Sequence, residues 1–444
     1  MRPTPICDFA VGYAKANPLR LHMPGHKGRG VLGVEPLDIT EIDGADDLYH
    51  AHGIIAESER NAASLFGCPT FYSTEGSSLC IRAMLFLAVT ASGQSRPLIL
   101  AGRNAHKSFL NTAILLDFRI QWLAPAEARS YHSCSVTARD VEAALAAAPE
   151  KPCALYLTSP DYLGGMAELV GISRVCREHG ILLLVDNAHG AYLRFLSPSR
   201  HPMDLGADLC CDSAHKTLPV LTGGAYLHIR DTSLAARAKE ALALFGSTSP
   251  SYLILQSLDA ANPYMDTLPQ ALSAFLPRLA RLRDGLTAHG FLLTGEEPLK
   301  ITLRPKAFGY TGTELAGLLA GQGIFCEFAD PDYIVFMFTP ENTPSQLTRL
   351  ENALRALPRR DPIPGSPPLP GPGRPRLTPR EAAFARHRQL PVEACLGRIL
   401  GSANVACPPA IPIVMCGEEI DEAAVRLMRY YGVTQCTVVQ EEIK

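Results

Sequence analysis

The spacing of apolar residues changes repeatedly between helical and strand-like along residues 53–245. Apolar positions recur at helical intervals over 57–66, 141–148 and 172–180. Between these stretches lie short runs that are apolar on both faces: LILAG, ALYLTS, ILLLVDNA, LCCDS and GAYLHI. Such strands, separated by helices, are typical of a mainly parallel sheet with helices on both faces. The spacing therefore predicts an α/β fold.

A different pattern follows a long helical stretch predicted over residues 264–288. Strand-like runs (FLLTG, LKITLRP and FCEFADPDYIVFMFT) combine with two further helices and predict a smaller α+β domain. Residues 358–379 contain nine of the 36 prolines, which favours an extended linker. The predicted domains are 1–52, 53–263, 264–357, 358–379 and 380–444.

Composition and charge restrict the kind of partner. The chain of 444 residues is 47% hydrophobic, and its 41 basic and 44 acidic residues leave a formal net charge of -3. We therefore expect a small-molecule partner rather than nucleic acid or an anionic membrane. The N-terminus lacks a signal-peptide pattern and no apolar run is long enough to span a membrane, so we predict a cytoplasmic location.

The 13 cysteines show no paired spacing typical of a metal site, and we predict no metal. The adjacent Cys210 and Cys211 lie in an apolar run, where we expect small buried side chains in a reducing compartment. We therefore assign neither of them a chemical role.

Polar residues capable of chemistry follow four of the predicted strands. They are Asn104 and His106, Thr158 and Ser159, Asp186 and His189, and Ser213 to Lys216. In an open α/β sheet, residues just after the strands lie at the carboxyl edge, where ligands bind. The sequence therefore predicts a binding site at this edge.

Lys216 lies in the segment DSAHKTLPVLTGGAYL, which leads into apolar chain. It is either an ordinary surface charge or a desolvated amine of lowered pKa. An amine of the second kind forms Schiff bases with carbonyl compounds, including pyridoxal phosphate. That cofactor also needs an anion beside its pyridinium nitrogen, donors for its phosphate and packing on both ring faces.

The sequence offers candidates for the anion and for the phosphate site. Asp186 ends the run ILLLVD and could keep the ring nitrogen protonated, although a turn or helix-capping aspartate is the alternative. Gly76, Ser77 and Ser78 begin an apolar helix, whose free N–H groups and dipole favour a phosphate. An ordinary helix start is the alternative for these three residues.

Three further residues complete this set. Ser213 and His215 lie close to Lys216 in the sequence and could add phosphate contacts. The ring of His106 could stack on the cofactor, with a purely structural histidine as the alternative.

Several segments together resemble the ornithine/lysine/arginine decarboxylase family of fold type I pyridoxal-phosphate enzymes, in its short form. They occur in the family's order: LHMPGHKG (21–28), DITEIDGADDLYHAHGIIAESERNAASLFG (38–67), RNAHKS (103–108), TSPDYLG (158–164), VDNAHGAY (185–192), DSAHKTL (212–218), STSPSY (247–252), and PPAIP with GEEI in the tail. The resemblance extends from about residue 20 to about residue 420.

The resemblance implies a role for each candidate. Lys216 would form the Schiff base, and Asp186 would pair with the pyridine nitrogen. Opposite faces of the ring would contact His106 and Ala188. The phosphate would be bound by Gly76, Ser77, Ser78, Ser213 and His215.

The resemblance also implies active sites shared between subunits. Ser247 or Thr248 in STSPSY would reach the phosphate of a neighbouring subunit, so we expect a homodimer or a higher homo-oligomer. Residues 1–52 would contribute to the dimer and the active site, 53–263 would bind the cofactor, and the tail would pack near the site.

The implied reaction is decarboxylation of lysine, arginine or ornithine to a polyamine-type amine. His189 or the freed Lys216 would return a proton to the α-carbon. An aminotransferase, an aldolase-type lyase or a non-catalytic relative are the alternatives. Three departures from the family pattern bear on this choice: Glu75, Asp161 and Ala410 of PPAIP.

A basic substrate would need a carboxylate for its distal cation, because an unpaired buried charge is costly. The candidates are Glu41, Asp43, Asp46, Asp47, Asp161, Glu418 and Glu419. For any one of them, a solvated or loop-capping role is the alternative.

Overall fold

The structure, a computed structural model, describes residues 2–123, 130–365, 367–369, 371, 373–402 and 409–440. The chain forms two compact units. The first unit is Met1–Gln94 with Cys176–Leu272, and the second is Ser95–Val175 with Ser273–Lys444. No helix in the described part of the chain is both long and apolar enough to cross a membrane.

The helices are α1 (Pro5–Ala16), α2 (Ile54–Phe66), α3 (Gly76–Ala91), α4 (Lys107–Leu116), α5 (Ala138–Ala147), α6 (Leu169–Glu178), α7 (Ala214–Thr217), α8 (Thr232–Ala235), α9 (Ala238–Ala243), α10 (Tyr252–His289), α11 (Gly312–Ala320), α12 (Pro344–Arg355), α13 (Pro379–Phe384) and α14 (Glu422–Tyr430). Short 3-10 helices are Ala191–Phe195, Pro305–Phe308 and Val392–Ala394. The strands are β1 (Thr70–Ser73), β2 (Leu98–Gly102), β3 (Arg119–Leu123), β4 (Ala154–Thr158), β5 (Leu182–Asp186), β6 (Leu209–Asp212), β7 (Ala225–Ile229), β8 (Leu292–Thr294), β9 (Lys300–Arg304), β10 (Phe328–Ala329), β11 (Ile334–Met337), β12 (His387–Pro391) and β13 (Gln435–Val439).

The first unit contains four hydrogen-bonded strands in the order β1-β7-β6-β5. Strands β5 and β6 are parallel, and β7 runs antiparallel to both of its neighbours. Helix α3 packs against these strands, and its apolar sequence leaves most of its residues buried. The start of α3 is therefore held in place by the core of the unit.

In the second unit, β2 lies between β4 and β3 and is parallel to both. A separate antiparallel sheet has the order β10-β11-β9-β8, and β12 pairs antiparallel with β13. Helices α5, α12 and α13 each begin with a capping box, in which a threonine and the residue three positions later satisfy each other's backbone N–H groups.

The predicted α/β fold with a mainly parallel sheet and an α+β C-terminal part is confirmed. The predicted helix over 264–288 was too short, since α10 begins at Tyr252. The short strands β1 and β3 were not predicted. The domain boundaries drawn from the sequence remain a prediction.

Candidate active site

Asp186 and Lys216 follow two paired parallel strands of the first unit. Asp186 is the last residue of β5 and is paired in register with Cys211 of β6. Lys216 lies in α7, which begins two residues after β6 ends. Because parallel strands end at the same edge of a sheet, both residues lie at the carboxyl edge, as the sequence predicts.

The Asp186 carboxylate is buried and held by local contacts. Its Oδ1 accepts hydrogen bonds from the Ala188 backbone N–H at 3.2 Å and from the Cys211 thiol at 3.7 Å. His189, in the same loop, is also buried. A rigid strand end thus fixes the direction of this carboxylate.

Helix α7, which carries Lys216, is fixed to the turn before β7. His215 donates two hydrogen bonds to the Gly224 carbonyl, from its backbone N–H at 3.2 Å and from ring Nδ1 at 3.0 Å. Lys216 itself is half-buried. The Nδ1 proton of His215 is therefore bound by a backbone carbonyl of the same chain.

The start of α3 has the chemistry of a phosphate site. Gly76 has φ +71°, and its N–H donates to the Gly223 carbonyl at 2.7 Å. The first N–H groups of an α-helix have no acceptor within the helix itself. The helix has no side-chain cap. Ser213 donates to the Ser77 hydroxyl at 2.8 Å, so two hydroxyls meet where the dipole favours an anion, with Ser78 next in the helix.

Glu75, a departure from the family pattern, contacts the STSPSY segment of its own chain. Its Oε1 accepts a hydrogen bond from the Ser247 backbone N–H at 2.6 Å. The carboxylate therefore binds the segment that carries Ser247 and the exposed Thr248. The predicted contact of these two residues with a neighbouring subunit remains a prediction.

His106 lies in the second unit, where it caps α4. Its Nδ1 accepts a hydrogen bond from the Ser108 backbone N–H at 3.2 Å. His106 thus has a structural role as a helix cap, and its predicted stacking on the cofactor remains a prediction. Ala410, another departure, has φ +57° in the left-handed region that favours glycine, and its carbonyl accepts from the Lys107 N–H at 2.9 Å.

A buried cluster beside these residues was missed by the sequence reasoning. The Asp212 carboxylate, at the end of β6, accepts through Oδ2 from His201 Nε2 at 3.0 Å and from His228 Nε2 at 3.1 Å. Its Oδ1 accepts from Asn187 Nδ2 at 2.7 Å and from the Cys210 thiol at 3.7 Å. We call these five residues the Asp212 cluster. They come from separate segments of the chain, so no local sequence pattern predicts the cluster.

The neighbours of the two histidines determine where their protons lie. His201 Nδ1 accepts from the Met203 backbone N–H at 3.3 Å, so its proton is on Nε2 and is donated to Asp212. The Thr70 hydroxyl lies 3.0 Å from the Cys68 carbonyl and 2.9 Å from His228 Nδ1, so its oxygen can accept a proton from Nδ1 while its hydrogen is donated to the carbonyl. His228 thus has an acceptor at each ring nitrogen, which favours its doubly protonated form.

The charges of the cluster agree with this assignment. Desolvation raises the pKa of Asp212, but the two histidines outweigh it and hold that pKa well below its ordinary value. Desolvation lowers the pKa of His228, but the Asp212 charge prevails and raises it. Cys210, His201 and Asp212 offer possible metal-ligand atoms within 4.8 Å of one another, and the Cys210 and His201 side chains are both hydrogen-bonded to Asp212.

Most of the carboxylates proposed for a substrate cation already have structural partners. In the first unit, Asp46 accepts from the backbone N–H groups of Gly53 at 2.8 Å and Ile55 at 3.0 Å, and Asp47 accepts from that of Tyr49 at 2.9 Å. These bonds follow the loop-capping alternative. Desolvation raises the pKa of Asp46, but the backbone donors outweigh it and lower the pKa.

The candidate carboxylates of the second unit are also engaged. Glu418 forms a bidentate ion pair with Arg103, with both N–O distances 2.7 Å. Glu419 pairs with Arg376 at 2.6 Å. Asp161 accepts from two backbone N–H groups of its own turn, and burial raises its pKa.

The fold and the carboxyl-edge lysine define a class of enzymes, those of fold type I that use pyridoxal phosphate. Lysine decarboxylase LdcF of Francisella novicida matches with a TM-score of 0.77 over 98% of this chain and 81% of its own, at 17% identity. At that identity the match establishes the fold alone.

The chain belongs to the Orn/Lys/Arg decarboxylase family, whose major domain matches residues 4–286. A protein named arginine decarboxylase from Halalkalibacterium halodurans is 30% identical over 466 residues, which cover 96% of this chain and 93% of the relative. Bacillus subtilis YaaO is 31% identical over 454 residues, covering 95% and 93%. The predicted family, enzyme class and cofactor are thereby confirmed: this is an amino-acid decarboxylase that uses pyridoxal phosphate.

Proposed function

We propose that this decarboxylase acts on a basic amino acid, namely lysine, arginine or ornithine, and releases the corresponding amine and carbon dioxide. The observation that carries the proposal is the placement of Asp186 and Lys216 after two paired parallel strands, beside the phosphate-type site at Ser77 and Ser213. Similarity to proteins named arginine decarboxylase over nearly their whole length supports the basic substrate.

The residues divide the chemistry among them. When bound, the cofactor supplies the electron sink for the electron pair that remains when carbon dioxide leaves. The Asp186 carboxylate would stabilise the cofactor's protonated ring nitrogen, and the Lys216 amine would hold the cofactor covalently. The α-carbon then gains one proton from Lys216 or His189.

Two of the candidate carboxylates remain for the distal cation of the substrate. Asp43 is exposed, and Glu41 accepts only from its neighbour Thr40 among the hydrogen bonds of the described residues. Both lie in the TEIDGADDL segment, whose other acids cap turns. We therefore assign substrate charge recognition to Glu41 and Asp43.

A panel of amino acids tests the reaction. We expect the holoenzyme to release carbon dioxide and amine from at least one of lysine, arginine and ornithine. Asp43→Asn or Glu41→Gln should raise KM for that substrate. The control substitution Asp8→Asn, at an exposed residue, should leave KM unchanged. Faster turnover of leucine or methionine than of all three would refute the basic substrate, and keto acid as the main product would indicate an aminotransferase.

Borohydride reduction tests the assignment of the lysine. We expect reduction to fix the cofactor on the peptide that contains Lys216, and Lys216→Ala to abolish both the adduct and turnover, with the exposed Lys15→Ala as a control. Asp186→Asn should still bind cofactor but turn over slower by orders of magnitude, because the ring nitrogen loses its anionic partner. An adduct on another lysine would contradict the assignment.

We further propose a homodimer. Large apolar side chains that are at least 65% exposed concentrate in residues 19–32: Leu19, Leu21, Met23, Val31 and Leu32. Exposed apolar clusters mark association surfaces, and the predicted role of residues 1–52 makes a second copy of the chain the partner. Sedimentation should show a dimer that Val31→Ser with Leu32→Ser weakens. A monomeric wild-type enzyme with full activity would exclude the shared site.

We also propose that the protein is cytoplasmic and that its amine product is of the polyamine type.

A further inference from the structure

We infer that Asp212 is a positioning residue that ties together the two loops of the active site. Through Asn187 it holds the loop that carries Asp186 and His189, and it directly precedes Ser213 and α7, which carries Lys216. This inference rests on the proposed function.

The link between the loops includes a hydrogen bond between two side chains. Asn187 donates through Nδ2 to Asp212 Oδ1 at 2.7 Å, and both side chains are fully buried. The backbone N–H of Asn187 donates to the Cys211 carbonyl at 3.0 Å, which continues the β5–β6 pairing. The loop beyond turns sharply, because the Gly190 N–H donates back to the Asn187 carbonyl at 2.7 Å. The amide of Asn187 thus holds this loop to the Asp212 carboxylate.

The charge of Asp212 strengthens its hydrogen bond with Asn187. A hydrogen bond to an ionised acceptor contributes more than one between neutral groups. Both histidines direct Nε2 at Oδ2 of Asp212, and their contacts favour its ionised form. These groups are buried within the core, so the carboxylate can direct its second oxygen to Asn187 without needing solvent.

The packing leaves the Asn187 side chain little freedom. A β-carbon at Gly190 would lie 1.9 Å from Asn187 Oδ1, so glycine at that position makes room for the amide. The amide cannot usefully rotate by half a turn, because its oxygen would then face the Asp212 carboxylate. The neighbours therefore select a single orientation of the loop after Asp186.

Two variants separate positioning from stability. Asn187→Ala removes the link between the loops but leaves Asp212 its two histidine partners. Thr70→Val removes the acceptor of His228 Nδ1 at the far end of the cluster and leaves the Asn187–Asp212 bond intact. Both should lower the free energy of unfolding, measured in urea on the cofactor-free proteins.

The readout is the state of the bound cofactor. We expect Asn187→Ala to weaken pyridoxal-phosphate affinity about tenfold or more, the equivalent of one lost charged hydrogen bond, and to shift the pH midpoint of the cofactor's absorbance change. Thr70→Val should keep both within about twofold of wild type, a change of under half a kcal/mol. Asn187→Asp cannot replace Asn187→Ala in this test, because it would place a second carboxylate beside that of Asp212.

The outcomes are distinguishable. Wild-type affinity and an unchanged midpoint in Asn187→Ala would overturn the inference, as would equal changes in both variants, which would mean that lost stability alone affects the cofactor. If borohydride fixes no cofactor on Lys216 of the wild-type enzyme, the proposed function fails, and this inference fails with it.

Discussion

Two buried pairs of aspartate and histidine, one in each unit, differ in how their polar atoms are satisfied. In the Asp212 cluster, both carboxylate oxygens accept hydrogen bonds, and the Asp212 charge raises the pKa of His228. In the second unit, Asp330 Oδ2 lies 3.7 Å from His132 Nε2, and neither atom has a hydrogen-bond partner among the described residues.

The second pair is held by its other atoms. Asp330 Oδ1 accepts from the backbone N–H groups of Asp332 and Tyr333, both at 2.7 Å, and His132 Nδ1 lies 3.1 Å from the Ser130 hydroxyl. Burial raises the pKa of Asp330 to about 6 and lowers the pKa of His132 to about 3. Burial thus disfavours the charged form of each group: His132 is neutral at pH 7, whereas Asp330 ionises only as the pH rises through about 6.

The comparison shows that burial alone does not decide whether an acid and a histidine exchange a proton. The Asp212 carboxylate has three nitrogen donors, which compensate its desolvation. Asp330 has two backbone donors on a single oxygen, and its charge is not compensated. The number and direction of donors thus separate a buried carboxylate whose charge is compensated from one whose charge is not.

The largest expected effect is that of Asp212→Ala. It leaves the buried N–H groups of His201 and His228, the second of raised pKa, without their acceptor, so we expect a loss of roughly 3–5 kcal/mol in the free energy of unfolding. Asp330→Ala removes two hydrogen bonds but strands no charge, so it should cost roughly 1–3 kcal/mol. Urea unfolding of both variants at pH 7 checks the difference. Equal losses would show that the Asp212 cluster is not an ion pair.

Asp330→Asn should stabilise the protein at neutral pH. The folded-state pKa of Asp330, about 6, lies above its ordinary value of 3.8, so ionisation costs folding free energy as the pH rises through this window. The amide keeps an acceptor for the backbone and carries no charge. We expect a gain of roughly 1–2 kcal/mol at pH 7 that disappears by about pH 4. A difference between the two proteins that does not depend on pH would contradict the raised pKa.

The smallest expected effect is that of His132→Phe. This ring packs against Tyr131, Phe328 and Tyr431, and its Nε2 has no hydrogen bond among the described residues, so a phenyl ring should change the free energy of unfolding by less than about 1.5 kcal/mol. The matched His228→Phe should cost more, because Asp212 loses its cation. Thermal unfolding of the two variants measures this difference. A larger loss of stability in His132→Phe than in His228→Phe would contradict the prediction.

The parts of the site that lie in one short segment could be predicted from the sequence. Lys216 and Asp186 follow strongly apolar strands, and the glycine and serines at the start of α3 precede an apolar helix. The Asp212 cluster could not be predicted, because His201, Asp212 and His228 come from a loop and two different strands. Only the pairing of β6 with β7 places His228 beside Asp212.

The errors in the fold have similar causes. Strand β3 (RIQWL) is mostly half-buried at the edge of its sheet, so its residues lack the apolar character of the inner strands. Helix α10 continues through Pro263, although proline lacks the N–H that a helix interior uses. The preceding Asn262 donates to Tyr72 at 2.9 Å and to Ser58, so tertiary contacts hold the helix where local propensity predicts its boundary.

The ion pair between Arg103 and Glu418 has a consequence for protein engineering. Arg103 directly follows β2, Glu418 belongs to the C-terminal tail, and both side chains are largely buried. A chain truncated before residue 418 would leave the guanidinium at the end of β2 without its partner, so the tail cannot be trimmed as a dispensable appendage. In chimaeras between relatives, the residues at positions 103 and 418 must be inherited from the same parent.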